Sequence, residues 1–238
     1  CMILCIRQTR NESRAMLGEM EALSNAIARF PAGPGRKALI DAVAPLDFRG
    51  RLGAAQARFI AETAGLEPDA LLTELIPVAA AYARPALSGF FVGAVARGGS
   101  GAIHCGANLE FAGTSPWHSV HAEQAAVAQA WAAGETVIEA IAVSAAPCGL
   151  CRQFLMELGD GAALAILVPG SPRATLGELL PRAFGPAALG HQGGLLDGAR
   201  PPLDLERPES EALVMAALDA ARRSYAPYSG AEAGIALR

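Results

Sequence analysis

Three things are scarce in this chain of 238 residues, and each scarcity removes a class of function. Basic charge is short: 19 Lys and Arg stand against 23 Asp and Glu, for a formal net charge of −4. Domains that grip a phosphate backbone carry a clustered excess of Lys and Arg, so nucleic acid is not expected as a partner. Long apolar runs are missing too. The most apolar stretch, residues 71–96, is broken by Glu74, Pro77, Arg84 and Pro85. A membrane span needs about 20 uninterrupted apolar residues, so no membrane partner is expected. The third shortage is of disulfide-forming cysteine. Cys1, Cys5, Cys105, Cys148 and Cys151 are odd in number and thinly spread, unlike the framework of a small secreted protein. The opening Cys-Met-Ile-Leu-Cys-Ile puts a short apolar run ahead of Arg7, Arg10 and Arg14, the reverse of a signal peptide. These features imply a reducing, cytoplasmic setting with the thiols free for chemistry.

Apolar residues make up 52% of the chain, enough over this length to bury one or two cores without covalent staples. Residues 1–19 look unlike the rest and read as an N-terminal extension, with Met20 an ordinary start. From residue 20 to 87 the pattern is helical, with Pro68 placed to open a helix. The period then changes. Phe90-Phe91-Val92-Gly93-Ala94-Val95-Ala96 and Ala102-Ile103-His104-Cys105 flank a Gly-rich turn and predict a β-hairpin. An Ala-rich helix follows from His121 to Ala133 and stops at Gly134. A strand over residues 138–145, a helix over 148–158 behind Pro147, and a strand over 163–168 complete the pattern. Hairpin, helix, strand, helix and strand predict an α/β domain, a mixed sheet in three α/β/α layers behind a small helical segment. Residues 170–202 concentrate Gly and Pro and read as a linker. A further helix over 209–223 leads into a tail that echoes an earlier passage: Ser88 to Arg97 matches Ser229 to Arg238 in Ser, Gly, Gly and Arg without a gap, 141 residues on. The expected division is therefore an extension over 1–19, a helical segment over 20–87, the main α/β domain over 88–190, a linker over 191–208, and the start of a second, truncated copy over 209–238.

Chemistry concentrates in His121-Ala122-Glu123 and in Pro147-Cys148-Gly149-Leu150-Cys151, whose first cysteine stands 27 residues after the histidine. This is the H-x-E and P-C-x-x-C pattern of zinc deaminases. Two sulfurs three apart at a helix start face one side, and the histidine opens the other helix, so two helix N-termini can converge on one ion. Their partial positive ends favour thiolate, and two thiolates with a neutral imidazole balance the charge of Zn²⁺. Structural zinc takes four protein ligands and catalytic zinc three. His104 and Cys105 are the only nearby candidates for a fourth, and both fall on a predicted strand, where core packing is the plainer reading. Glu123, which the metal does not need, is placed to shuttle protons. His118 reads as a surface or supporting residue and Trp131 as core.

With these motifs, and with Phe90-Phe91-Val92-Gly93-Ala94, Gly106-Ala107-Asn108-Leu109-Glu110-Phe111 and Arg152-Gln153-Phe154, the chain resembles cytidine deaminases of the long two-domain, homodimeric bacterial type. The resemblance implies one zinc ion per chain on His121, Cys148 and Cys151, with Glu123 as proton shuttle. It further implies Asn108 and Glu110 on the ribose 3′-hydroxyl, Phe90 against the pyrimidine, and main-chain groups of Ala122 and Ala146 near the base and its amine. Asn108 and Glu110, two apart on a strand end, point the same way and offer an amide and an acceptor to a sugar hydroxyl. No Arg, Lys or glycine-rich helix start beside them suits a 5′-phosphate, so an uncharged nucleoside is expected as the small-molecule substrate. The implied activity is hydrolytic deamination of cytidine and 2′-deoxycytidine in pyrimidine salvage. The alternatives are a deaminase acting on another nucleoside or on a base in nucleic acid, and a non-catalytic scaffold held by zinc.

Overall fold

A computed structural model describes residues 10–44, 48–191, 193–197 and 203–237. Cys1, Cys5, the first nine residues of the expected extension, residues 198–202 of the expected linker and Arg238 lie outside these. Four helices come first: α1 (Arg10–Arg29), α2 (Pro34–Val43), α3 (Ala54–Ala64) and α4 (Pro68–Ala80), with the two-residue strand β1 (Arg51–Leu52) between α2 and α3. Helix α1 runs through Met20 without a break. Pro34 and Pro68 stand in the first turns of their helices, where the missing N–H would have had no intrahelical partner. Gly65 closes α3 in the left-handed conformation at φ +66°.

The sheet is built from β1, β2 (Gly93–Gly98), β3 (Ile103–Ala107), β4 (Ile138–Val143), β5 (Ala165–Leu167) and β6 (Ala174–Thr175) in the order β1-β3-β2-β4-β5-β6. Only β4 and β5 pair in parallel. Because β2 is antiparallel to both β3 and β4, those two strands run the same way and end at the same edge of the sheet.

Alternation along the strands sorts the core into two faces. Val95, Cys105, Ala140, Ala142, Ala165 and Leu167 join Leu72, Leu75, Ile76 and Ala79 of α4, with the other N-terminal helices behind. Ala94, Ala96, Ile141, Val143 and Ile166 face α5 (Ala122–Ala132), α6 (Gly149–Leu155) and α7 (Leu176–Leu179). The three-layer α/β/α expectation is met, and the helical segment supplies one of the layers. Each fully buried aliphatic side chain here contributes roughly 1.5–3 kcal/mol.

Several boundaries differ from the sequence reading. Phe90 and Phe91 are exposed and precede the strand, because Gly89 turns the chain at φ +65° and the Asn108 side chain takes the backbone groups that a strand neighbour would. Residues 174–179, inside the Gly- and Pro-rich stretch, form β6 and α7, and Leu176 is fully buried. Trp131 is half-buried, and its indole N–H donates to the Arg223 carbonyl at 3.2 Å while the Arg223 guanidinium lies 5.6 Å from the ring centroid.

The tail repeats the earlier geometry as well as its residues. At Gly93 a Cβ would meet the Ile76 carbonyl oxygen and the Ala80 nitrogen of α4, both at 2.5 Å. At Gly234 it would meet the Ala217 oxygen at 2.1 Å and the Ala221 nitrogen at 2.3 Å, on α8 (Ala212–Arg222). Gly230 turns at φ +60° as Gly89 does, and its amide donates to the Ala226 carbonyl as the Gly89 amide donates to Pro85. Every pair is separated by 141 residues. Tyr225 and Tyr228 hold this segment to the main body by donating to Glu157 at 3.1 and 2.6 Å.

The turn joining β2 and β3 is held by a buried polar node. Glu135 accepts from the Ser100 hydroxyl and amide and faces His104 Nε2 at 3.3 Å. A Cβ at Gly98 would fall 2.2 Å from the Glu135 carboxyl carbon. Gly98→Ala is therefore expected to cost about 1–3 kcal/mol in denaturant melts, whereas Gly99→Ala, whose Cβ would meet Val137 at 3.4 Å, is expected to cost far less.

Burial lowers the His104 pKa, against the opposing pull of Glu135. Burial also opposes the charge of Glu135, yet the Ser100 and His104 contacts outweigh it and its pKa is lowered. In both cases the unfolded chain binds protons more readily, so stability is present at neutral pH and is lost with acid. Unfolding free energy is expected to fall first as pH drops below about 6.5. Urea melts between pH 7.5 and 5 should show this slope, and it should be shallower in His104→Gln.

Candidate metal centre

Strands β3 and β4 end at the same edge of the sheet on either side of β2, and each leads to a metal-ligating residue at the start of the helix that follows. Beyond β3, Leu109 exchanges two backbone hydrogen bonds with Val120, both at 2.9 Å. This fixes the residue immediately before His121. On the other side of the same segment, the Arg84 amide donates to Asn108 and the Glu110 amide donates to Arg84. His121 is the N-cap of α5, in extended conformation, and its amide donates to the Gln124 side chain at 2.9 Å. Gly106 lets α5 lie against the strand: a Cβ there would sit 2.2 Å from the Ala122 oxygen and 2.3 Å from the Ala126 nitrogen.

Beyond β4, the Ser144 hydroxyl accepts from the Gly93 amide at 2.8 Å and pins the strand end to β2. Arg152 donates to the Pro147 carbonyl at 2.9 Å and to the Leu179 carbonyl at 2.8 Å, which braces the turn before Cys148, the N-cap of α6. The two helix starts thus meet. His121 Nδ1 lies 3.5 Å from Cys148 Sγ and 3.3 Å from Cys151 Sγ. All three donor atoms fall within 4.8 Å of one another, and among the described residues they form the group by themselves.

The donors suit zinc in kind and in spacing. Zn–S of ~2.3 Å and Zn–N of ~2.0–2.1 Å at a tetrahedral angle place sulfur and nitrogen about 3.5 Å apart. Burial, the neighbouring Glu123 carboxylate and Cys148 all push the Cys151 thiol upward. A divalent cation reverses that balance by holding the sulfur as thiolate. Three protein donors is the number of a catalytic zinc. The considered fourth ligands lie elsewhere: His104 is fully buried against Glu135, and Cys105 sits in the core facing α4, where burial pushes its thiol up to about 12.

Glu123, in the first turn of α5, is buried and hydrogen-bonded to the Cys151 thiol. Ala122 is buried next to His121, and Ala146 is exposed just ahead of Pro147. His118 is exposed in a short 3-10 turn, outside the donor group.

A second group gathers Asn108, Glu110 and Phe90 on the neighbouring loop. Asn108 Nδ2 donates to the Phe90 carbonyl at 2.8 Å, and its Oδ1 accepts from Val92 at 2.9 Å. Glu110 accepts from the Leu87 and Ser88 amides and from the Ser88 hydroxyl. These Ser88 bonds, with Leu87 and the nearby His121, hold its carboxyl below the usual range. Sequence reasoning assigned no role to Gly106, Ser144, Arg152 or Ser88. The short side chain of Ser88, beside a turn glycine, carries only the signal of a loop residue.

A model described as the cytidine and deoxycytidylate deaminase zinc-binding region matches residues 66–166, and a second model of the same description matches residues 176–238. A cytidine deaminase of Shewanella loihica is 45% identical over 202 residues, covering 84% of this chain and 68% of that protein. One from Sodalis glossinidius is 45% identical over 216 residues, covering 84% and 70%. The solved cytidine deaminase of Mycobacterium tuberculosis is 37% identical with a TM-score of 0.42, covering 45% of this chain and 89% of that one.

The close approach at Gly106 can be tested directly. Gly106→Ala is expected to push the first turn of α5 away from β3, lower the melting temperature and reduce zinc retained after dialysis to well under one ion per chain. Elemental analysis alongside thermal melts checks both.

Proposed function

The chain belongs to the cytidine and deoxycytidylate deaminase family, and from that premise we propose that it hydrolyses the exocyclic amine of cytidine and 2′-deoxycytidine. The observation that carries this reading is the convergence of His121, Cys148 and Cys151 beside a buried Glu123. Water and the nucleoside are consumed; the C4–N bond breaks, a C4 carbonyl forms, and uridine or deoxyuridine leaves with ammonia.

His121, Cys148 and Cys151 hold one zinc ion per chain. Bound there, zinc supplies Lewis acidity that brings the pKa of water to about 7. Glu123 takes a proton from the attacking water, delivers it to the ring nitrogen beside C4, and carries the next proton to the departing amine. Its place in the first turn of α5, buried one residue from Ala122 and two from His121, keeps the carboxylate beside the donor group. Asn108 and Glu110 bind the sugar hydroxyl, and Phe90 lies against the pyrimidine. The main-chain groups of Ala122 and Ala146 meet the base and its amine.

The acidic overall charge and the lack of a basic cluster beside Glu110 favour an uncharged nucleoside over a nucleotide or a base in nucleic acid. Exposed Phe91, Phe111 and Trp117 support a homodimer in which a second copy covers them. No helix among the described residues is long and apolar enough to cross a membrane. The unpaired Cys105, Cys148 and Cys151 suit a reducing cytoplasm and pyrimidine salvage. The zinc-dependent domain is assigned to residues 88–190, followed by a linker over 191–208 and the start of a second deaminase-like unit from 209.

Zinc-loaded protein is expected to release ammonia from cytidine and 2′-deoxycytidine and not from dCMP or adenosine when the four are assayed side by side. Glu123→Ala should keep about one zinc per chain and lose at least ~10²-fold in kcat. Turnover confined to adenosine, or a Glu123→Ala variant with near-normal kcat, overturns the assignment.

A further inference from the structure

Asn108 and Glu110 are spoken for by protein groups to an extent that bears on what else they can bind. A carboxylate offers about four acceptor positions. On Glu110, Oε2 takes the amides of Leu87 and Ser88, both at 2.8 Å, and Oε1 takes the Ser88 hydroxyl at 2.6 Å. One position remains, on Oε1. Asn108 uses one amide hydrogen on the Phe90 carbonyl and one oxygen lone pair on the Val92 amide. One N–H remains. The same Ser88 oxygen also accepts from the Phe90 amide at 3.0 Å, so a single hydroxyl links the carboxylate to the backbone that carries the aromatic ring.

The internal repeat separates what this serine does for its turn from what it does for the carboxylate. Ser229 accepts from the Ala231 amide at 3.2 Å, next to Gly230 at φ +60°. The Ser-Gly turn therefore forms equally where the aromatic residue is replaced by Ala231, and among the described residues Ser229 has no carboxylate partner. Turn formation accounts for the Ser88 to Phe90 contact and leaves the Ser88 to Glu110 contact as something added at the first site.

We infer that Ser88 is a positioning residue for the sugar subsite: its hydroxyl fixes the Glu110 carboxylate relative to Phe90 and leaves it one acceptor, for one nucleoside hydroxyl. This rests on the assignment of Asn108 and Glu110 to the sugar. The hydrogen bonds of Ser88 go to Glu110 and the Phe90 amide, and none goes to the metal donors. Its effect is felt in binding: with the hydroxyl gone, Glu110 keeps its charge but rotates more freely, and the hydroxyl that bridges Asn108 N–H and Glu110 Oε1 loses a defined partner.

The test compares the full chain carrying Ser88→Ala, Ser88→Thr or Glu110→Gln with the parent. Two readouts are used: steady-state kinetics on cytidine and 3′-deoxycytidine, and calorimetric binding of uridine and 3′-deoxyuridine. Ser88→Ala is expected to raise KM for cytidine and Kd for uridine about ten-fold, the lower range for a hydrogen bond to a charged group, with kcat within two-fold. The 3′-deoxy compounds, lacking the hydroxyl that Glu110 reads, should lose little. Ser88→Thr, with room for its methyl at this exposed position, should restore both constants. Equal losses on the 3′-deoxy compounds, unchanged constants in Ser88→Ala, or a Ser88→Thr variant as weak as Ser88→Ala would each overturn the role of Ser88. Glu110→Gln separates that failure from failure of the sugar assignment: if it leaves discrimination between cytidine and 3′-deoxycytidine untouched, both fall; if it abolishes discrimination while Ser88→Ala is normal, only Ser88 does.

Discussion

The site exists because two parallel strand ends sit on either side of one antiparallel neighbour. With β2 between β3 and β4, the chain leaves both outer strands at the same edge, and each exit leads into a helix whose N-cap is a metal donor. Sulfur to nitrogen distances of 3.3 and 3.5 Å require the helix starts to be set within a few tenths of an ångström. Three local devices do this: the bare backbone of Gly106 under α5, the Leu109 and Val120 backbone pair ahead of His121, and the Arg152 brace behind Cys148. The carboxyl edge of an open sheet is where α/β proteins generally place ligands, and here the strand order decides which side chains arrive there.

What could be read from residues alone divides along physical lines. The donor set and the layered architecture were visible because they depend on short-range spacing and on periodicity, as with Cys148 and Cys151 at one helix start. The end of β2 facing Phe90 was not, because Asn108, distant in sequence, supplies the hydrogen bonds that decide where pairing stops. Residues 174–179 were hidden by their composition. Gly and Pro there bound two very short elements, and only tertiary burial of Leu176 makes them elements at all. Gly106 and Gly93 carry no chemical signal; what matters is the space their missing Cβ atoms leave to a helix brought in by the fold.

Polar groups are distributed with a similar division of labour. The node of Ser100, His104 and Glu135 is buried at the turn between β2 and β3, far along the strands from the donors, and serves the architecture. The groups at the opposite edge, Ser88, Asn108 and Glu110, brace a loop whose aromatic residues remain exposed. Rigidity is thus supplied to the backbone of that loop while its side chains stay accessible.

The paired glycine contacts at 93 and 234 also define what the smallest repeated unit is. What recurs is a helix with the extended segment lying on it, joined through the same backbone atoms. An extended segment without its helix would leave that glycine no groove to enter. The recurring unit is thus helix and extended segment together, and neither half of it keeps its backbone contact without the other.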